Sequence, residues 1–367
     1  MQTPWGNLRE IDLNDHSTAE KIISADKHRL VEGLVAECIF DQIFQKVPAS
    51  SDCKILPLDV ETIIVDTNNT SERWIALVWA RTKTEGLGRY LLALERGFVP
   101  YLLEYDPLNG FSATKRENGR SSAQLENLAD LMERLSGGAY TEFTVNASVR
   151  DETRQKQAFW GHVSNYYGNR VGHQIVLPRL LLNCGVQPYF RRVWNLDRML
   201  LVDDQVWMLE VKHKFPMELP PKNDYPTLRF GINEGELGII DKLVNCGIRC
   251  LHTVLVKPFW STEAGPMYLL NDLASREKTA LVAAVLDQTT VGKMMAGRSG
   301  KAAAHTSING ESKIKYRSLP ARSFKDLGVL SDAPENIAKK IVSTMKGESV
   351  SFVHEAHLLK LRCPILK

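Results

Sequence analysis

Asn195–Lys214 reads NLDRMLLVDDQVWMLEVKHK, and its pattern sets the fold expectation for the chain. Leu196–Val202 is rich in strand formers, Asp203-Asp204 supplies a turn, and Gln205–Lys214 alternates with period two. Successive side chains of a strand point to opposite faces. Val206, Met208, Glu210, Lys212 and Lys214 therefore share one face, and Trp207, Leu209, Val211 and His213 the other. A hairpin of this register brings Asp197, at the start of the first strand, beside Glu210 and Lys212, near the end of the second. Two carboxylates and an ammonium then converge at one sheet edge.

Those residue types have a chemical use. Mg²⁺ prefers oxygen ligands and is commonly held by one or two carboxylates plus waters and substrate phosphates. Asp197, Glu210 and the carbonyl of Val211 offer such ligands. Lys212 is suited to orient or help deprotonate the attacking water and to offset charge on a pentavalent phosphate. The spacing, Asp, then twelve residues, then Glu-x-Lys, resembles the PD-(D/E)xK nuclease superfamily over about residues 165–260. The proline of that pattern is replaced by Leu196. The bare Glu-x-Lys tripeptide carries little weight, since roughly one is expected by chance in a chain of this length. An edge strand bearing Glu and Lys against aggregation is the competing explanation.

The resemblance implies a restriction-endonuclease-like mixed α/β sheet flanked by helices. It further implies a Mg²⁺-dependent endonuclease (Mn²⁺ as a substitute) that cuts DNA, with RNA as the other candidate, in defence, mobile-element transfer or repair. Its implied catalytic residues are Asp197, Glu210 and Lys212, and its metal ligands Asp197, Glu210 and Val211. Nucleases of this kind often add a Glu from a helix ahead of the hairpin. Val171–Asn183 has none, and Gln174 or His173 is the nearest substitute.

The order of elements recurs earlier. Leu58-Asp59 aligns with Leu196-Asp197, Val65-Asp66 with Val202-Asp203, and TEGLG at Thr84 with NEGELG at Asn233. This suggests an internal duplication with a degenerate first copy, in which Trp79 stands for Glu210 and Arg81 for Lys212. Any two α/β units share such a rhythm, so the alternative of no duplication stays open. The segments expected are an α/β domain (1–120), a helical linker (121–164), the nuclease-like domain (165–262) and a basic, partly helical C-terminal region (263–367).

Helices are expected at 26–46, 84–97, 123–135, 275–295 and 334–345, and strands at 56–66, 74–83, 98–106 and 351–361. Glu32 and Glu37 in the first helix read as a solvated face. Loops are expected over Lys115–Ser122 and over the Pro-rich Phe215–Gly231, where Lys222 and Arg229 are within reach of phosphates. Between Lys293 and Lys325, eight cations (Lys293, Arg298, Lys301, Lys313, Lys315, Arg317, Arg322, Lys325) face one acid, Glu311. Phosphate neutralisation by Lys and Arg dominates non-specific nucleic-acid affinity. Lys214, Lys301, Lys313, Lys315 and Arg317 are thus the nucleic-acid-binding candidates.

The 367 residues, 44% hydrophobic and 24% charged with a net charge of +3, suit a globular protein whose basic surface is local rather than general. The six cysteines lack CxxC spacing, which argues against a zinc site. No apolar run has signal-peptide form or spans a bilayer, so a cytoplasmic protein without a membrane partner is expected. A homodimer or a larger assembly is compatible with the sequence. So is a second class of function: a non-catalytic nucleic-acid-binding module, or a subunit of a nucleoprotein assembly, with Asp197, Glu210 and Lys212 as an ordinary ion cluster.

Overall fold

The computed structural model describes residues 1–25, 30–46, 54–69, 71–145, 152–222, 225–260, 274–301 and 314–364. A short hairpin, β1 (Gln2–Thr3) and β2 (Gly6–Asn7), precedes α1 (His16–Ser24) and α2 (Leu30–Phe44). Then follow β3 (Ile55–Leu58), β4 (Val60–Asp66), β5 (Trp74–Ala80), α3 (Leu87–Leu94), β6 (Val99–Asp106), β7 (Gly110–Glu117), β8 (Arg120–Asn127) and α4 (Leu128–Ser136). Residues 152–186 form a run of helical turns whose regular parts are α5 (Glu152–Ala158), α6 (Asn165–Tyr167) and α7 (Leu177–Leu180). The hairpin region holds β9 (Val193–Leu196), β10 (Arg198–Val202), β11 (Gln205–Lys214), β12 (Met217–Lys222) and β13 (Tyr225–Asn233), and α8 (Glu234–Asn245) and β14 (Arg249–Val256) come next. The chain ends with β15 (Ala280–Leu286), α9 (Gln288–Ala296), β16 (Gly300–Lys301), β17 (Lys315–Pro320), β18 (Lys325–Val329), α10 (Pro334–Lys346) and α11 (Glu355–Leu361).

Two mixed six-stranded sheets dominate. The first has the order β8-β7-β6-β5-β4-β9, the second β18-β15-β14-β11-β10-β3. Their senses agree position by position. β5 and β6 are parallel, as are β11 and β14, and every other neighbouring pair is antiparallel. The sheets also exchange strands. The chain breaks at Asp59, so that β3 pairs with β10 in the second sheet while β4 stays in the first. It breaks again at Asp197, so that β9 pairs with β4 in the first sheet while β10 stays in the second. A third sheet, β12-β13-β17-β16, stands beside them. The boundaries expected at 120, 164 and 262 do not separate these sheets, because the β3–β10 and β4–β9 pairings span the first two and the β14–β15 pairing spans the third.

The hairpin has the expected register and faces. Arg198 pairs with Leu209 and Val202 with Gln205, and Asp203 takes φ +51° at the turn, a conformation that Asp tolerates. Leu200, Val202, Trp207, Leu209 and Val211 enter one core with α2. Met199, Leu201, Val206 and Met208 enter another with α3 and α8. Burying a side chain the size of Leu contributes about 1.5–3 kcal/mol, and a one-residue slip, by sending each side chain to the opposite face, would disrupt the packing of both cores.

Several expected elements differ. Leu56–Asp66 is two strands rather than one. Lys115–Ser122 is the tip of the β7–β8 hairpin, strand as far as Glu117 and again from Arg120. Asn118 (φ +53°) and Gly119 (φ +74°) supply the two left-handed residues a tight hairpin requires. The helix expected from Ala123 starts only at Leu128, where the Asn127 Oδ1 accepts from the Ala129 N–H. Ser275–Met295 is strand β15 followed by α9. Its apolar run ALVAAVL is covered on both faces, and such a run has no periodicity that separates strand from helix. The Pro-rich loop after Lys214 is the β12–β13 hairpin, and Glu355–Leu361 is helical rather than extended.

Candidate active site

Asp197 occupies the gap between β9 and β10, which frees its side chain to turn toward β11. Its Oδ2 accepts a hydrogen bond of 2.8 Å from the Val211 N–H. Register places Glu210 across from Asp197, since Arg198 pairs with Leu209. The Glu210 Oε1 is ion-paired to the Lys212 ammonium, its same-face neighbour two residues on. Asp197, Glu210 and Lys212 are thus brought together as the spacing predicts.

A fourth residue joins them. Glu236, in the first turn of α8, has its Oε1 3.4 Å from the Lys212 Nζ. α8 starts where it does because the Asn233 side chain accepts from the Gly235 N–H at 2.7 Å. Three carboxylates therefore share one ammonium. Burial raises the carboxyl pKa of Asp197 above the ordinary range, with Glu236 adding to the shift and Lys212 and the Val211 N–H opposing it. Burial likewise raises Glu210, reinforced by Asp197 and Glu236 and opposed by Lys212. For Lys212 burial works against the charge, but Glu210, Glu236 and Asp197 outweigh it and raise the ammonium pKa.

Lys214 continues the same face. Its ammonium donates to the Gly231 carbonyl of β13, and burial lowers its pKa to about 8, with Lys212 adding to the effect against Glu236 and Glu210. His252 lies beside Glu210 in the parallel β11–β14 ladder and is fully buried. Neither ring nitrogen has a hydrogen-bond partner among the described residues, and burial, then Lys214 and Lys212, hold the ring neutral.

Glu32 and Glu37 correct the expectation of a solvated face. α2 lies against β11, and Glu32 is buried, with its Oε1 2.7 Å from the His213 Nδ1 and paired to the Lys257 ammonium. Burial alone would raise the Glu32 pKa, but Lys257 and His213 outweigh it and hold it well below the carboxylate range. Glu37 pairs with Arg198 at 3.0 Å, and Arg198 also donates to Asp41, to the Tyr167 hydroxyl and to the Asp197 carbonyl. The Glu37 pKa is pushed up to about 7, chiefly by burial, with Arg198 opposing and Asp197, Asp41 and Glu61 reinforcing.

Gln174 goes elsewhere. Its Nε2 donates to the Asp59 Oδ1 at 3.2 Å in the first sheet, and the His173 carbonyl accepts from the Arg81 Nε at 3.2 Å. There the Arg81 guanidinium pairs with Asp59 at 3.3 Å and Glu61 at 2.8 Å. The ladder also corrects the alignment of the two halves. Val60 pairs with Ala80, and the Arg81 N–H donates to the Asp59 carbonyl. Arg81, not Trp79, therefore takes Glu210's place, and exposed Lys83 takes that of Lys212.

Of the other candidates, exposed Lys301 and Lys315 pair across β16–β17. Arg317 is committed to Glu234 at 2.8 Å, and Lys313 lies outside the described residues.

Among the described residues no three His, Cys, Asp or Glu side chains stand close enough together to hold a metal ion as placed. The donor set nonetheless fits Mg²⁺, which needs only one or two carboxylates from a protein. The Glu236 Oε1, buried and held only by its ion pair with Lys212, adds a third acid beside that one ammonium. No helix among the described residues is long and apolar enough to cross a membrane. No protein-family model, curated protein or solved structure matches the chain.

Proposed function

We propose that the chain is a metal-dependent nuclease that hydrolyses phosphodiester bonds of DNA, with a restriction-endonuclease-like fold duplicated within one polypeptide. The observation that carries this is the meeting of Asp197, Glu210 and Lys212 at the strand break, with Glu236 as a third acid. The matching strand order of the two sheets, with Asp59 at the equivalent break, supports the duplication. The first copy is chemically silent because Arg81 stands at the position of Glu210 and occupies both Asp59 and Glu61. Defence, mobile-element transfer and repair are all contexts for this chemistry.

Asp197, Glu210 and the Val211 carbonyl would hold Mg²⁺, which supplies Lewis-acid stabilisation of charge on a phosphoryl group when bound. Asp197 is oriented by the Val211 N–H. Lys212, kept protonated by its acid neighbours, donates to the attacking water or to phosphate oxygens as charge develops. Glu236 keeps a counter-ion on Lys212 when Glu210 turns from it. The test is incubation of the purified protein with supercoiled, linear and single-stranded DNA in Mg²⁺, Mn²⁺ or EDTA, beside Glu210→Ala. Metal-dependent cutting that the variant lacks is expected, and equal cutting by the variant removes the assignment.

The second reading, a non-catalytic nucleic-acid binder, draws on one observation. Lys212 is already paired to Glu210 and Glu236, as a self-neutralised ion cluster would be. Salt-dependent binding without turnover in any metal would favour it.

A further inference from the structure

Two segments that are distant in sequence meet in one concavity. β12, β13, β17 and the end of α9 enclose about 660 Å³, a volume in the usual range of ligand sites. Arg229 comes from β13, and Lys293 and Arg298 come from α9 and the turn after it. Lys293 and Arg298 are exposed, and no Asp or Glu is among the residues lining the space. The nearby acids already have partners: Glu234 is bonded to Ser299, which lines the space, and Asp287 caps α9 close enough for its charge to act on Lys293. Glu234 pairs with Arg317, and Glu218, on the opposite face of β12 from Met217 and Leu219, pairs with Arg362 at 2.7 Å.

Arg229 is positioned rather than neutralised. Its Nε donates to the Ser318 Oγ at 2.9 Å and its Nη2 to the Ser318 carbonyl at 2.6 Å, and it forms no ion pair among the described residues. Burial, then Arg322, disfavour its charge, with only Glu355 opposing. Three cations thus line a concave space whose described lining includes no acid. Met217, the register partner of Arg229 in the β12–β13 ladder, and Leu219, 43% exposed, add apolar surface to the lining.

The concavity is joined to the acid cluster through β13. Gly231 of that strand receives the Lys214 ammonium, Asn233 caps α8, and Glu236 follows in the first turn. From Arg229 to Asn233 is about 13 Å of strand. Successive phosphates along a strand lie at roughly twice the 3.4 Å axial rise, so that span covers about two phosphates.

We propose that this concavity is the docking groove for one strand of nucleic acid leaving the Asp197, Glu210 and Lys212 site, its phosphates on Lys293, Arg298 and Arg229 and its sugars and bases against Met217 and Leu219. The proposal rests on the nuclease reading for the direction of the strand. It does not need cleavage to be tested. It also moves the main phosphate contacts from Lys214 and Arg317, which are bonded within the protein, to the exposed Lys293 and Arg298, with Arg229 held in place by Ser318.

The test uses the full chain carrying Glu210→Gln, in EDTA, with fluorescently labelled single-stranded and duplex oligonucleotides and salt varied from about 50 to 200 mM. Adding Lys293→Ala and Arg298→Ala should weaken binding about tenfold or more and reduce the slope of log affinity against log salt by about 2. Lys21→Ala with Lys339→Ala, exposed cations outside the groove, should change neither. Unaltered affinity and slope in the groove variant overturn the proposal, as does failure of the parent to bind at the lowest salt. Should Glu210→Gln cut DNA as fast as the native chain while the groove variant loses binding, the nuclease assignment falls and the groove stands.

Discussion

The two six-stranded sheets share strand order and strand sense, yet treat the same position in opposite ways. At the first break, Asp59 and Glu61 meet the Arg81 guanidinium and the Gln174 amide, and every charge has a partner. At the second, Asp197, Glu210 and Glu236 crowd a single lysine, and the carboxyl pKa values of Asp197 and Glu210 rise. One site sets a guanidinium between two acids, whereas the other sets three acids around one ammonium. Shared topology therefore says little about chemistry. The residue opposite the aspartate, Arg in one sheet and Glu in the other, decides it.

The comparison breaks most sharply at that residue. Glu210→Gln should lower metal-dependent cleavage by about a thousandfold, read from initial rates on plasmid, with little loss of DNA binding. Arg81→Met should do the reverse. It strands two part-buried carboxylates and should cost about 3–5 kcal/mol in denaturant unfolding while the chemistry of the second site survives.

Divalent cation should distinguish the sheets next. Mg²⁺ at a hundred times its dissociation constant should stabilise the native chain by about 2.7 kcal/mol, and calorimetry should show no such gain in Glu210→Gln. Glu37 gives a smaller, pH-dependent effect. Its folded pKa of about 7 exceeds the ordinary 4.5, so its contribution is complete below about pH 4.5 and lost as pH rises to about 7. Stability should fall across that window by about 1–3 kcal/mol on its account. Glu37→Gln should remove that part of the slope in unfolding curves at stepped pH, leaving what Asp197 and Glu210 contribute in the same direction. Least of all, Lys83→Ala should leave cleavage unchanged and stability within about 0.5 kcal/mol, because the exposed register mate of Lys212 has no acid cluster to serve.

The hairpin was legible because strand alternation is local. Knowing that Val206 and Met208 are buried assigns Glu210 and Lys212 to their face, and the twelve-residue spacing sets Asp197 opposite. Glu236 was hidden because it arrives from a helix beyond an inserted hairpin, although an acid-rich helix start just after the Glu-x-Lys strand was a signal. Glu32 and Glu37 were misread for a different reason. α2 is apolar nearly all round, which in a soluble helix means burial on every side, so its acids needed partners that no local pattern reveals. Asn118-Gly119 was a hairpin signal lost among charged neighbours. The run ALVAAVL in β15 held no such cue.

The exchanged strands have a consequence for how the chain is made. β3 finds its partner in residues 199–202, roughly 140 positions later, and the first sheet gains its last strand only with Val193–Leu196. As the polypeptide leaves the ribosome, neither sheet can be completed before both breaks have emerged. Until then each nascent half presents an open strand edge, the surface most prone to pairing with another chain. Assembly is thereby committed to a late, largely simultaneous closure with high contact order, and a fragment ending near residue 120 should aggregate rather than fold.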